Sequence, residues 1–132
     1  MNIWYIFNVC IFFSAHAMYN PDWTMLHRAC YEGQLAEVER CFDHDPDVNQ
    51  QNRYGLTPLI MAVQMHNQTA PARNYYDIVT ALISRGADPR IKTNDGRTAL
   101  DLCNQNSWGN PLRMQVASDI KKLLAHHMAN AF

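Results

Sequence analysis

Charged residues are missing from the first 17 positions, MNIWYIFNVCIFFSAHA, and all 23 Asp, Glu, Lys and Arg residues lie after Ala17. The run from Ile3 to Phe13 is apolar apart from Asn8, and Ala15–Ala17 has the small-x-small form of a signal-peptidase site. This run of 11 residues is too short to span a bilayer as a helix, which needs about 20. We therefore expect residues 1–17 to be a cleavable export signal.

Two other interpretations of this N-terminal segment stay open. No Lys or Arg precedes the apolar run, as one normally does in a signal, so a helix or strand of the core is one alternative. Translation from Met18 is the other, and it would give a cytoplasmic protein. With cleavage, we expect an exported protein, periplasmic or secreted, that has no stable membrane anchor.

The short motifs of metal, redox and nucleotide chemistry are also missing. The sequence contains no C-x-x-C pair, G-x-S-x-G, H-E-x-x-H, Walker loop or G-x-G-x-x-G. Without Cys10, the cysteines Cys30, Cys41 and Cys103 remain, an odd number that does not support a disulfide framework. Cys30 and Cys41 could still face each other across a helical hairpin, and Asn67-Gln-Thr is a formal glycosylation sequon.

A strong charge excess is absent as well. Acidic and basic residues nearly cancel at a net charge of −1, which argues against nucleic acid or an anionic membrane as the main partner. The length of 132 residues suits one domain or a short array of repeats. We expect no metal and no cofactor.

What the sequence does contain is one phrase in three versions. DWTMLHRAC begins at Asp22, YGLTPLIMA at Tyr54 and DGRTALDLC at Asp95. Their threonines, Thr24, Thr57 and Thr98, are 33 and then 41 residues apart. The phrases therefore mark three units of similar design.

The spacing within each unit explains the difference between 33 and 41. Val38 lies 14 residues after its threonine, whereas Val79 and Ile120 each lie 22 residues after theirs. The second and third units thus carry eight extra residues at the same place, between a predicted inner helix and a predicted outer helix. The register is otherwise kept along the chain.

The residues of the phrase are typical of a turn that leads into a helix. A threonine at the N-cap position satisfies amides of the first helical turn, and Pro58 suits the first helical position. Leu59, Ala62 and Val63 have the spacing of a buried stripe. Gly86 is predicted to end the outer helix of the second unit in a left-handed conformation.

A period of 33 with T-P-L-H-x-A and G-A-D motifs resembles the ankyrin-repeat family. GLTPLIMA, DIVTALISRGADPRIKTNDGRTALDL and TMLHRACYEGQLAEVERCF carry the resemblance, which extends from about Asn20 to the C-terminus. It implies an all-α ankyrin-repeat solenoid of helix-turn-helix units with short β-hairpin or turn fingers. In residues 18–132, we expect repeats at about 20–51, 52–92 and 93–127. The chain departs from the family histidine at Ile60 and Asp101.

The histidines and cysteines are interpreted as structural. His27 occupies the family position that hydrogen-bonds locally and steadies the turn. Cys30 and Cys103 occupy positions of small buried alanines, which do not suit a nucleophile because such a thiol needs an exposed, electropositive setting. His126 and His127 are adjacent and point in different directions on a helix. We therefore expect no enzymatic activity.

The resemblance implies that a protein partner binds along a concave face of finger tips and inner helices. Carried onto this chain, that face comprises Trp23, Tyr31, Glu32, Arg53, Tyr54, Leu56, Gln64, Met65, Asn94, Asp95, Arg97, Gln105 and Asn106. Tyr, Trp and Arg dominate interface energetics because they bury much area at little cost in rotamer freedom.

The two extended segments, NQTAPARNYY (67–76) and NSWGNPLRM (106–114), form a second candidate surface along one edge of the stack. We expect exposed aromatic and basic side chains there, which is a mark of functional loops. Tolerated loop growth and inherited duplication are the alternatives. The candidate residues of this edge are Arg73, Tyr75, Tyr76, Trp108 and Arg113.

The sequence therefore predicts an exported, monomeric, non-enzymatic module that binds a partner protein. By analogy, its sharpest form is a periplasmic immunity-type inhibitor that blocks an enzyme. A secreted effector that binds a host protein is the alternative. A thiol- or metal-handling protein that uses Cys30, Cys41 and the histidines is a third hypothesis.

Overall fold

The computed structural model describes residues 22–64, 70–103 and 111–130. These residues form six helices and, within the described ranges, no strand. The helices are α1 (Met25–Glu32), α2 (Leu35–Phe42), α3 (Pro58–Val63), α4 (Ala72–Ser84), α5 (Ala99–Cys103) and α6 (Pro111–Ala129). The prediction of an all-α solenoid is confirmed, and the described fingers are turns between helices, not paired strands.

The three threonines cap the inner helices as predicted. Thr24 accepts a hydrogen bond from the backbone N–H of His27, and Thr57 accepts one from that of Ile60 at 3.2 Å. Thr98 accepts from the N–H of Asp101 at 3.3 Å, and its own N–H donates to the Asp101 carboxylate at 3.0 Å. Asp101 departs from the family histidine, yet it closes a reciprocal capping box that fixes the start of α5.

The helices pack as two parallel rows. The inner helices α1, α3 and α5 contact one another in that order, and the outer helices α2, α4 and α6 do the same. Each inner helix also contacts the outer helix of its own unit. All six residues of α3 are buried, because α3 lies between two inner helices and against α4. The core of the protein is therefore continuous along the stack.

The outer helices lengthen from one unit to the next, from 8 residues in α2 to 13 in α4 and 19 in α6. The sequence predicted eight extra residues between the inner and the outer helix within each of the second and third units. In the structure, the last part of each extended segment is helix, because α4 begins at Ala72 and α6 begins at Pro111. The segments 65–69 and 104–110 lie outside the described residues.

The added helical turns pack against the preceding part of the chain. The Tyr75 hydroxyl donates to the carbonyl of Tyr31 at 3.1 Å, and the Asn74 amide donates to that of Gly33 at 3.2 Å. The Arg113 guanidinium donates to the Ala70 carbonyl at 3.1 Å. The eight-residue expansions therefore strengthen the contacts between units.

These contacts correct two of the predicted exposures. Tyr75 was expected to be exposed on the edge, but it is 0% exposed, since its ring fills the space beside Gly33. Arg113 is 7% exposed, because its guanidinium turns inward to the Ala70 carbonyl. A surface role is wrong for both side chains in this conformation.

His27 joins the first unit to the second, which goes beyond the local contact that the sequence predicted. Its Nδ1 accepts from the Thr24 backbone N–H at 3.2 Å, and its Nε2 lies 2.9 Å from the Leu56 carbonyl oxygen. A carbonyl can only accept, so the neutral tautomer with the proton on Nε2 satisfies both contacts. Burial of the ring lowers the pKa of His27, with smaller opposing contributions from the backbone carbonyls of Leu56 and Gln50.

The three described cysteines, Cys30, Cys41 and Cys103, are buried free thiols. Burial raises the pKa of Cys30 and Cys41, and it raises the pKa of Cys103 to about 11. A thiol with a raised pKa is a poor nucleophile at neutral pH.

Across the residues that the structure describes, we find no helix with the length and apolarity needed to cross a bilayer.

Gly33 and Gly86 offer a matched test of the contact between the first two units. Both have positive φ, +70° and +92°, but a Cβ at Gly33 would lie 2.7 Å from Tyr75 Cζ, whereas Gly86 has open space. Gly86→Ala should cost about 1 kcal/mol through backbone strain alone. Gly33→Ala should cost about 1–3 kcal/mol more, because the ring must also move. Urea denaturation measures both, and equal losses would contradict the packing described here.

His27 also predicts a pH dependence of stability. Because the folded protein holds the pKa of His27 below its ordinary value of about 6.5, the unfolded chain takes up this proton first as the pH falls. The free energy of unfolding should be fully retained above about pH 6.5 and should decline below it. His27→Gln should flatten this decline between about pH 6.5 and 5, above the range where carboxylates titrate. An unchanged slope in the variant would contradict the assignment.

Candidate partner-binding surface

The tips of the fingers form one row along the stack, which we call the finger row. It comprises Asp22 and Trp23 before α1, residues 51–57 before α3 and residues 92–98 before α5. Each segment ends at, or directly before, the N-cap threonine of an inner helix, so the helix starts fix the spacing of the tips.

The second finger is held by Asn52, a residue that the sequence reasoning missed. Its side-chain oxygen accepts from the backbone N–H groups of Tyr54 at 2.9 Å and Leu56 at 3.0 Å. The turn is closed by hydrogen bonds from Asn52 N–H to the Leu56 carbonyl and from Gly55 N–H to the Asn52 carbonyl. Asn is typical of such turns, so Asn52, two residues before Tyr54, could have been recognised from the sequence as the residue that holds the turn.

Tyr54 occupies the tip of this turn and is 56% exposed, among the most exposed large apolar side chains of the described chain. Its carbonyl accepts from the N–H of Asn94 at 3.1 Å, which ties the second finger to the third. Gly55 permits this approach, because a Cβ there would lie 2.7 Å from the Asn94 nitrogen. The ring is therefore presented to solvent from a rigid backbone.

The third finger repeats the design with different residues. Thr93 takes the place of Asn52, and its hydroxyl accepts from the Arg97 N–H at 3.1 Å and donates to the Asp95 carboxylate. Arg97 forms an ion pair with Asp95 at 2.7 Å. The Thr93 hydroxyl and then the Arg97 guanidinium lower the pKa of Asp95, so this carboxylate stays charged at neutral pH.

Side chains also link neighbouring fingers. Arg53 forms an ion pair with Asp22 of the first finger, a partner that the sequence analysis did not select. The Asn94 amide donates to the Arg53 carbonyl at 2.6 Å, and the Gln51 amide donates to the Lys92 carbonyl at 3.0 Å. The finger row is thus a pre-organised surface whose ordering cost is largely met before a partner binds.

The aromatic residues of the first unit are half-buried. The rings of Trp23 and Tyr31 lie 5.1 Å apart and are tilted by 55°, so each covers part of the other. Glu32 forms an ion pair with Arg28 at 3.3 Å on the same helix. Leu56 and Gln64 are also half-buried, and the Leu56 carbonyl is used by His27. Tyr31 therefore supports the finger row through its contact with Trp23, and Leu56 is tied to the first unit through His27.

The edge made by the added turns of α4 and α6 keeps some exposed groups. The Arg73 guanidinium lies 4.5 Å from the centre of the Tyr76 ring, and it also lies 3.9 Å from the Asp77 carboxylate. Leu112, which is 63% exposed, and Met114 are exposed at the start of α6 and were not selected from the sequence. The edge is therefore less aromatic and more aliphatic than predicted, since Tyr75 and Arg113 turn inward.

Several predicted residues cannot be placed. Met65, Asn67, Gln105, Asn106 and Trp108 lie outside the described residues. Among the residues that the structure does place, no three His, Cys, Asp or Glu side chains are grouped so that they could hold a metal ion. The chemistry of the described surface is that of hydrogen bonds, ion pairs and one exposed aromatic ring.

The family model described as "Ankyrin repeats (3 copies)" matches residues 6–92, which is more than half of the chain. The match begins within the N-terminal segment and stops before the third unit. It supports the repeat pattern of the first two units most directly.

Individual relatives point the same way. The chain is 29% identical over 91 residues to "Putative ankyrin repeat protein YahD" of Escherichia coli (strain K12), covering 68% of this chain and 44% of that protein. It is 36% identical over 86 residues to "Transient receptor potential cation channel subfamily A member 1" of Homo sapiens, covering 65% and 7%. The crystal structure of EF0377, an ankyrin repeat protein, superposes with a TM-score of 0.59 at 35% identity, covering 76% of this chain and 45% of that one. The chain thus spans less than half the length of these relatives.

Proposed function

The chain belongs to the ankyrin-repeat family, and we propose that it is an exported, non-enzymatic module that binds a partner protein through the finger row. Ankyrin repeats indicate protein–protein interaction, and the partner and its compartment are our proposal. The observation that carries it is the exposed Tyr54 ring on a backbone held by Asn52 and Asn94. A rigid aromatic anchor among hydrogen-bonding groups is typical of an interface hot spot.

The charges of the finger row indicate how such a partner is recognised. Arg53 and Asp22 neutralise each other, as do Arg97 and Asp95, so the row presents paired charges around an apolar ring. A partner need not supply a strong counter-charge, and its affinity should depend more on the pocket it offers to Tyr54 than on ionic strength. We propose that the partner is an enzyme whose active site is covered by this surface, as in an immunity-type inhibitor. A standard interface of roughly 800 Å² per partner suits that role.

Tyr54→Ala tests the site. The variant should weaken binding at least tenfold, because a buried aromatic anchor is worth about 2 kcal/mol or more. Leu112→Ala is the matched control, since Leu112 is similarly exposed, 63% against 56% for Tyr54, but lies on the outer helix α6. Pulldown from exported proteins of the source organism, followed by titration of the captured partner, measures both. A partner that binds both variants as tightly as the wild type would contradict the site.

Export has a separate test, which does not depend on the binding site. The small-x-small sequence Ala15–Ala17 predicts that mature protein begins at Met18. N-terminal sequencing of protein recovered outside the cytoplasm measures this, and Ala15→Arg with Ala17→Arg should block cleavage. Recovery of the chain only in the cytoplasm, or with residues 1–17 intact, would contradict export by this signal.

Capture of a host protein instead of an enzyme in the pulldown would favour the effector alternative.

A further inference from the structure

A groove opens on the first unit, where it is lined by residues of α1 and α2 and by Gln34 between them. We call it the end groove, and it encloses about 300 Å³. Met25, Ala29 and Cys41 give it an apolar floor, and Arg28, Glu32, Gln34 and Glu37 form its polar rim. Met25 is 76% exposed, whereas Ala29 and Cys41 are buried, so the floor is open to solvent mainly at Met25. The bonds from the first unit to the second use other groups, such as His27 and the carbonyls of Tyr31 and Gly33.

The repeat register shows what the same face does in the second unit. Counted from the cap threonines, Arg28 corresponds to Met61, and counted from Val38 and Val79, Glu37 corresponds to Ile78. Met61 and Ile78 are buried in the core, 1% and 0% exposed. The first unit therefore carries charge at positions where the second unit carries buried apolar side chains. An apolar surface placed here would remove the Arg28–Glu32 and Arg40–Glu37 ion pairs from water and offer them no new polar contact, which is costly.

The charge of the first unit indicates the opposite kind of occupant. Residues 22–51 carry seven carboxylates and two basic side chains, whereas residues 52–127 carry five carboxylates and nine basic side chains. Every glutamate of the chain lies in the first unit. Arg28 and Arg40 pair with Glu32 and Glu37, and within the described residues no ion pair involves Glu39, Asp43 or Asp45. The end groove thus lies in the acidic part of a nearly neutral protein.

We propose that the end groove is a second interaction surface and that it binds a basic segment of a partner protein. The aliphatic stem of a Lys or Arg side chain lies on the floor of Met25, Ala29 and Cys41, and its cationic head reaches the carboxylates of Glu32 and Glu37. Lys and Arg bury their stems along apolar surface in this way while the charge stays at the rim. A volume of about 300 Å³ is at the lower end of ligand pockets and suits one or two such side chains.

The test uses fluorescence anisotropy with the full chain and a labelled decapeptide of alternating arginine and leucine. We expect saturable binding that weakens as salt is raised from 50 to 300 mM, because exposed charges are screened. A peptide of alternating glutamate and leucine should not bind. A peptide of alternating arginine and serine should bind at least fivefold more weakly, since it lacks apolar side chains for the floor.

Paired variants locate the site. Glu32→Gln with Glu37→Gln should weaken binding of the arginine–leucine peptide about tenfold. Asp77→Asn with Asp119→Asn makes the same change of net charge on the outer helices of the other units and should change binding less than twofold. Thermal melts of both double variants must match the wild type within a few degrees.

Four results of the binding measurements would overturn the proposal. They are no saturable binding by the wild type, equal binding of the glutamate–leucine peptide, equal losses in the two double variants, and loss on Tyr54→Ala without loss on Glu32→Gln with Glu37→Gln. Sedimentation velocity covers a second copy as the occupant: a wild-type dimer that the Glu32→Gln, Glu37→Gln variant dissociates would also overturn it. The end groove and the finger row use different residues. Failure of the groove proposal therefore does not count against the Tyr54 site, and failure of the Tyr54 site does not count against the groove.

Discussion

Burial of the second unit on both sides is the constraint on which the rest of the structure depends. The short helix α3 has six residues, too few to be stable alone, and all of them are buried between α1, α5 and α4. Hydrogen bonds from His27 and from Tyr75 tie this unit to the first one. The finger row inherits its order from that packing, because each finger ends at the cap of a packed inner helix. The units are not stable alone, and the packing that stabilises them in the stack also makes this surface rigid.

The architecture could be predicted from the sequence because its signals are local. Thr57 and Pro58 begin a helix by capping chemistry, Gly86 ends one by its left-handed backbone, and the common register of Val38, Val79 and Ile120 orders the units. Asp101 replaces the family histidine, yet the helix it begins is still capped, because its carboxylate forms the capping box with Thr98 that a histidine forms in other repeats. These effects act within a few residues, so the local sequence pattern is enough to predict them.

The surface was harder to predict because exposure depends on contacts between distant residues. Tyr75 and Tyr76 are neighbours with the same side chain, yet Tyr75 fills the space that Gly33 leaves 42 positions earlier, and Tyr76 stays beside Arg73. Arg113 is similar, since its hydrogen bond to Ala70 depends on where α6 begins. Tyr54 was selected as a binding candidate and is exposed in the structure, but its support by Asn94 could not be predicted without the fold. Sequence patterns give the face of an element and not the partner that covers it.

The growth of the outer helices from 8 to 13 to 19 residues gives each unit its own size. At a rise of 1.5 Å per residue, the three helices are about 12, 20 and 29 Å long. Repeat proteins with nearly identical units are prone to misassembly, in which one unit takes the place of another or of its copy in a second chain. Here an exchange of the first unit for the third would leave Tyr75 without the Gly33 surface that it covers. Unequal length therefore distinguishes the three units from one another, and the Tyr75–Gly33 contact favours the order in which the first two follow each other along the chain.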